Sequence, residues 1–228
     1  NDHELAATLA TDAGRLLLQV RAELSDAPAA DRKAQGDKRS HDFLMAQLAR
    51  ARPADAVLSE EGADNLVRLD AARVWIVDPL DGTREFSELD RDDWAVHVAL
   101  WEGGDLVAGA VALPGQGVTI ATPEVPAPST HAGTPRVLVS RTRPPAVALQ
   151  VRDALGGALV EMGSAVYVRA GGQSEWDSAA PVAVARAAGL HTSRIDGTPL
   201  RYNRSDPRLP DVVVCQPQLA EAVLAALR

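Results

Sequence analysis

Two aspartates three positions apart, Asp78 and Asp81, end the apolar run in "VWIVDPLDGTREF", residues 74–86, and Gly82 and Thr83 follow at once. An unpaired carboxylate is costly to bury, and like charges this close push a pKa up, so the pair calls for a cation or a proton. Other acidic features stand near expected strand or helix ends: Asp37, Glu60 with Glu61 in "LSEEG", and Asp177 in "EWDSAAPVAV". Such ends are where a fold can gather carboxylates from distant sequence without sinking them into apolar core. A convergent set of oxygen ligands suits Mg2+, which takes octahedral coordination and shares its shell with water and phosphate. Gly82 lets the backbone approach an oxyanion closely, and a helix beginning after it would aim N–H groups at that anion. The Thr83 hydroxyl can relay a proton from water to a carboxylate base.

Each outlying carboxylate also has a plainer reading. Asp177 before "SAAPVAV" makes a good helix N-cap, with Pro181 tolerable in the first turn. "SEEG" reads equally as a solvated turn, Asp37 ahead of "KRSHDFL" as a cap, and His97 within an apolar strand as a packed histidine. The motif at 78–83 has no comparable alternative as a simple turn. Its spacing argues against an EF-hand, which alternates its ligands before the glycine and adds a glutamate six beyond it. It also argues against a D-x-D-G-T phosphatase with a nucleophilic aspartate, because D-P-L-D-G-T is one residue longer.

The elements that must position these groups follow from periodicity. Residues 2–24 place Leu5, Leu9, Leu16, Leu17, Val20 and Leu24 on one helical face, with Asn1 or Asp2 as cap. The polar stretch 25–40 reads as a loop, and a second helix is expected over 41–52, stopped by Pro53. "AVLSEEG" predicts a short strand, and "WAVHVALW", "DLVAGAVALP" and "GVTIAT" predict an antiparallel meander joined by glycine turns. After the proline-rich segment 124–135 the pattern changes to strand, helix, helix, strand, helix, at "RVLVS", "PPAVALQVRDAL", "SAAPVAVARAAG", "DVVVC" and "PQLAEAVLAALR". This predicts an α/β protein with an N-terminal α+β lobe over 1–130 and a C-terminal α/β lobe over 131–228.

Composition narrows the function classes. The chain has 228 residues, 46% of them hydrophobic, enough for a packed core. A net charge of -8 argues against a general nucleic-acid binder, and no apolar run reaches the length of a membrane span. The lone cysteine, Cys215 in "DVVVC", forbids an internal disulfide, reads as an inert core residue and fits a cytoplasmic location.

"LSEEG", "WIVDPLDGTREF" and, much later, "EWDSAA" occur in an order that resembles the lithium-sensitive, magnesium-dependent phosphomonoesterase superfamily. That superfamily includes inositol monophosphatase, fructose-1,6-bisphosphatase and the bisphosphate nucleotidases. Inositol monophosphatases typically read G-T-T-N-F where this chain has Gly82-Thr83-Arg84-Glu85-Phe86; nucleotidases of bacterial sulfate assimilation read G-T-K/R-E-F. "GTPLRYN", residues 197–203, is similar to a nucleotidase signature as well.

The resemblance implies a two-lobe sugar-phosphatase fold with alternating helix and sheet layers. It implies two or three Mg2+ ions held by Glu60, Asp78, the Leu80 carbonyl, Asp81 and Asp177, with Glu61 a neighbour. Asp37 and Thr83 would orient and deprotonate the attacking water, with Glu60 also in the catalytic set. Gly82, Thr83, Gly163, Ser164, Ala165 and Asp177 would hold the substrate. The implied reaction removes the 3′-phosphate of 3′-phosphoadenosine 5′-phosphate, and also acts on 3′-phosphoadenosine 5′-phosphosulfate. Inositol-1-phosphate and fructose-1,6-bisphosphate are rival substrates, and a non-catalytic sensor of phosphorylated ligands is the rival class. Family members often form homodimers. By location, Arg84, Trp176, Tyr202 and Arg204 are candidates to contact adenine. The connection between Ala165 and Trp176 is too short for the helix and strand that family members place there, which predicts either a lost element or, the favoured reading because losing that helix would open the second lobe's core, an omitted segment.

Overall fold

Helix α1 (Asp2–Glu23) begins with a capping box: Asn1 Oδ1 accepts the Glu4 N–H at 2.9 Å and the Glu4 carboxylate reaches back to the chain amine. Its apolar stripe buries Leu9, Leu17 and Val20, with Leu5, Leu16 and Leu24 packed at the margin. In this computed structural model, residues 1–128, 133–138, 146–160 and 166–228 are described.

Helix α2 spans Ala29–Ala51, starting well before the expected His41. The stretch expected as a loop is helical because alanines and long straight side chains outweigh its one glycine. Gly36 itself is required by packing: a Cβ there would lie 2.6 Å from Phe86 Cε1 and 2.9 Å from Leu80 Cδ2. Asp37 therefore sits inside a helix and caps nothing.

The first sheet has the order β1-β2-β3-β4-β5, formed by Ala56–Ser59, Arg73–Asp81, Ala95–Glu102, Asp105–Leu113 and Val118–Ala121. β1 runs parallel to β2, and β2 through β5 form antiparallel pairs that include the expected meander. β2 is buried from Val74 to Leu80, as its continuous apolar run requires. Short helix α3 (Thr83–Ser87) follows it directly. The core beside this sheet joins α1 and α2 to Trp75, Val77, Trp94, Val98 and Leu100.

Further along come β6 (Arg136–Leu138), α4 (Ala146–Leu155), β7 (Ala158–Val160), β8 (Val166–Ser174), α5 (Glu175–Ala187), β9 (His191–Ser193), β10 (Arg208–Cys215) and α6 (Ala220–Ala226). The second sheet has the order β7-β6-β8-β10-β9. Its core gathers Val137, Val151, Val168, Val213 and Val223 around Cys215, whose thiol is pushed up to about 11 by burial, an inert setting. β8 runs from Val166 to Ser174 and leads directly into α5. Gly171 and Gly172, both at positive φ, hide that strand from its sequence pattern.

The chain divides into two compact units. One comprises Asn1–Pro123, Glu175–Val184 and Tyr202–Pro207; the other comprises Glu124–Ser174, Ala185–Arg201 and Arg208–Arg228. Most of α5 thus belongs with the first sheet. Among the described residues no helix is long and apolar enough to cross a membrane.

Gly109 on β4 is where α5 seats: a Cβ there would meet Ala183 Cβ at 2.6 Å and the Ala180 carbonyl oxygen at 3.2 Å. Neither a helix backbone nor a methyl can swing aside. Gly109→Val is expected to destabilise the protein by about 1–3 kcal/mol, read as a lower midpoint in urea unfolding.

Candidate active site

The end of β2 departs from a regular ladder. Asp78 pairs with His97 and Asp81 with Ala95, so β2 spends one residue more than β3 between these pairs, a bulge. Pro79 offers no N–H, and its carbonyl accepts the Ser40 hydroxyl of α2 at 2.7 Å. The Leu80 N–H turns back to Asp78 Oδ1 at 3.0 Å. Asp177 arrives from the first turn of α5. One carboxylate oxygen each from Asp78, Asp81 and Asp177 lie within 4.8 Å of one another. Asp177 stands inside the helix and not at its cap, and Pro181 lies beyond the first turn.

This crowding is electrostatically unfavourable without a counterion. Asp78 is fully buried, and burial followed by the charges of Asp81, Glu60 and Asp177 raises its pKa well above the usual carboxylate range. Its Oδ2 has no donor. The group beside it is another carboxyl, that of Glu60, with which only a shared proton could make a bond. Glu60 follows β1 and is exposed as a whole residue, yet burial of its carboxyl, joined by the charges of Asp177, Glu61 and Asp81 and opposed by its bond to Asp78, pushes it up to about 7. A buried oxygen lacking a donor, set among oxygen-only ligands, fits a hard divalent cation.

Beside the trio lies a second arrangement. Gly82 takes φ 78° and closes onto Trp94, where a Cβ would sit at 3.3 Å, so the turn into α3 requires glycine. Thr83 Oγ1 is 3.1 Å from the Leu80 carbonyl oxygen and 3.4 Å from Asp37 Oδ1. Burial and the charge of Glu61 raise Asp37 to about 6, against the Thr83 hydrogen bond, which lowers it. Of the residues named from sequence, Asp37, Glu60, Asp78, Leu80, Asp81, Gly82, Thr83 and Asp177 all fall within the first compact unit. Gly163, Ser164 and Ala165 lie outside the described residues.

Ser40 and His41, which contacts Ser59 Oγ at 2.9 Å, are neighbours that sequence reasoning missed. They lie one turn beyond Asp37 on α2, a spacing that becomes visible once residues 29–51 are read as one helix. His97 is buried in β3 with Nε2 3.9 Å from Asp81 Oδ2, too far for a hydrogen bond.

The model of the inositol monophosphatase family matches residues 3–125. A 3′-phosphoadenosine 5′-phosphate phosphatase of Mycobacterium bovis is 50% identical over 239 aligned positions, spanning 95% of this chain and 89% of its own. The chain belongs to the inositol monophosphatase family. A further relative within it, the 3′(2′),5′-bisphosphate nucleotidase CysQ of Escherichia coli, is 32% identical over 85% of this chain and 91% of its own length. The family fold is seen in inositol monophosphatase II of Staphylococcus aureus, with a TM-score of 0.78 at 18% identity over 95% of this chain and 91% of that one. It is seen again in CysQ of Bacteroides thetaiotaomicron, with 0.76 at 24% identity over 93% and 96%. The 239 positions aligned with the Mycobacterium bovis relative exceed the 228 residues here, so that family member carries segments this chain lacks.

The acidic cluster sets a stability prediction. Asp37, Glu60 and Asp78 all have folded pKa values above their ordinary ones. Their protonation therefore favours the native state below about pH 4, and that contribution is lost as pH rises through about 6 and 7. In chelator, Tm is expected to fall between pH 5.5 and 8 more in the native protein than in Asp78→Asn, with a divalent cation removing the difference. Equal pH dependence of the two proteins in chelator would contradict the assignment.

Proposed function

We propose that this chain is a Mg2+-dependent phosphatase that removes the 3′-phosphate of 3′-phosphoadenosine 5′-phosphate, giving AMP and inorganic phosphate. The observation that carries this reading is the convergence of Asp78, Asp81 and Asp177 beside the Thr83–Asp37 pair. The substrate assignment rests on the Gly82–Phe86 sequence and on relatives so named at up to 50% identity.

Asp78, Asp81 and Asp177 would hold the cations, with Glu60 and the Leu80 carbonyl completing their shells. Divalent ions bound there supply Lewis-acid chemistry, making water acidic enough to attack near neutral pH and offsetting charge on the phosphate. Thr83 has one hydroxyl proton and two acceptors in reach, Asp37 and the Leu80 carbonyl. Donating that proton to Asp37 leaves the hydroxyl oxygen to accept one from the attacking water. Asp37, held near 6, is unprotonated above that pH and weakly basic enough to release the proton again. Water oxygen bonds to phosphorus as the bond to the ribose 3′ oxygen breaks, with no covalent enzyme intermediate; the 3′ oxygen leaves with the bonding pair and takes a proton from solvent, while Asp37 returns its proton to solvent. The Gly82 turn would seat the phosphate. Thr83 is therefore assigned to both substrate and proton handling, and Gly82 to substrate alone.

Phosphate release from 3′-phosphoadenosine 5′-phosphate, inositol-1-phosphate and fructose-1,6-bisphosphate, measured in parallel, tests the substrate. The expected result is a clear kcat/KM preference for the nucleotide that chelator abolishes; preference for inositol phosphate would refute the substrate and leave the metal chemistry standing. Asp37→Asn is expected to lower kcat by about 10²–10⁴-fold with KM little changed. Steady-state kinetics at saturating Mg2+ check this, and a change confined to KM would remove Asp37 from the proton path.

A further inference from the structure

Glu175, the first residue of α5, is wholly buried and is not one of the acidic trio. It accepts the N–H groups of Asn203 at 2.6 Å and Arg204 at 2.9 Å, while its own N–H donates to the Pro207 carbonyl at 2.8 Å. One residue thus fastens both ends of the segment 203–207. Asn203 adopts φ 59°, a left-handed conformation that only a few residue types tolerate.

Arg68, equally buried, closes the arrangement from the other side. Its Nη1 donates to Asn203 Oδ1 at 2.7 Å and its Nη2 to the Arg204 carbonyl at 2.7 Å. Its Nε and Nη2 also grip both oxygens of Asp64, at 2.7 and 2.9 Å. Asn203 Nδ2 returns a bond to the Arg68 carbonyl at 3.3 Å. Asn203 and Arg204 are held between a buried carboxylate, which accepts their N–H groups, and a buried guanidinium, which donates to the Asn203 side-chain oxygen and the Arg204 carbonyl.

A helix start needs far less than this. A single Ser, Thr, Asp or Asn cap serves, at about 1 kcal/mol. Burying two ionisable side chains is expensive, and a fully satisfied buried network returns a fixed arrangement more than it returns stability. What it fixes is specific. Asp177 lies two residues after Glu175, and Asp64 lies four residues after Glu60. Segments far apart in sequence, each carrying a carboxylate of the acidic cluster, are tied through Arg68 and Asn203.

We infer that Glu175 and Arg68 are positioning residues: through Asn203 they hold the Asp177-bearing turn of α5 and the Glu60-bearing segment in register for cation binding. This rests on the metal-dependent reading above. The side-chain bonds of both residues go to Asp64, Asn203 and Arg204, not to the acidic trio. Groups that orient metal ligands typically contribute 10–100-fold in metal affinity, which sets the size of the effect.

The test is Mg2+ affinity by titration calorimetry, with Tm recorded alongside, for the native protein, Glu175→Gln, Asn203→Ala and Asp55→Asn. Asp55 accepts bonds from Trp75 Nε1 at 2.8 Å and from Arg73 at the opposite end of β2, so its loss is structural and remote. Glu175→Gln is expected to weaken Mg2+ binding by at least tenfold, Asn203→Ala likewise, and Asp55→Asn to lower Tm with Mg2+ affinity unchanged. Asn203→Asp, which keeps the oxygen facing Arg68 and tolerates the left-handed backbone, is expected to restore most of the affinity lost in Asn203→Ala. Native affinity in Glu175→Gln overturns the inference, as does equal weakening in Asp55→Asn. If Glu175→Gln does not fold, Asn203→Ala decides on the same criteria. A native protein that binds no Mg2+ refutes the metal-dependent reading itself, a result distinct from a failure of positioning.

Discussion

The rest of the first unit is arranged around one carboxylate that has no donor for its second oxygen. Asp78 sits at the buried end of an apolar strand with Asp81, Glu60 and Asp177 as its charged neighbours. The opposite end of β2 shows what neutralisation looks like in this protein. There Arg73 meets Asp2, Asp55 and Glu102, and Arg52 shares Asp2, so charges of both signs are interleaved. One strand is thus balanced where it begins and acidic where it ends. Such imbalance is tolerated where a ligand of opposite charge completes the structure.

Holding like charges together demands rigidity from everything behind them. The bulge at Pro79 is pinned by Ser40, and Gly36 lets α2 press against Leu80 and Phe86. Phe86 meets Trp94 edge-on with ring centroids 5.0 Å apart, and Arg21 stacks over both rings. Arg21 also donates to the carbonyls of Glu88 and Arg91, and Arg32 to that of Ser87, which fixes the chain leaving α3. Glycines at 36, 82 and 109 mark the places where backbone must approach closely for this packing to close.

Where the sequence carried a strong local signal, the structure was legible in it. The apolar run 74–77 fits a buried strand, the meander follows from alternation and glycine turns, and α1 from its stripe and cap. Legibility failed where composition and packing disagree. Gly36 in a polar context hides the first half of α2, and with it the placement of Asp37, Ser40 and His41 on neighbouring turns. Paired glycines disguise β8, and Asp177 looks like a cap because its preference for helix starts is shared with the helix's first turn. The meeting of Asp78 with Asp177 has no local trace and was approached only through the order of the motifs. The bond from Arg68 to Asn203 spans 135 positions, and neither residue stands in a pattern that names the other.

The path of the chain between the two units has a consequence for how the protein comes to be made. The first unit is not finished at Pro123: it takes back Glu175–Val184 and then Tyr202–Pro207. A chain emerging from the ribosome presents β2 and its two aspartates long before α5 appears, and the segment that Glu175 and Arg68 secure comes later still. Until Pro207 has been delivered, the acidic strand end is a half-built socket, and its completion is among the latest events open to the nascent chain.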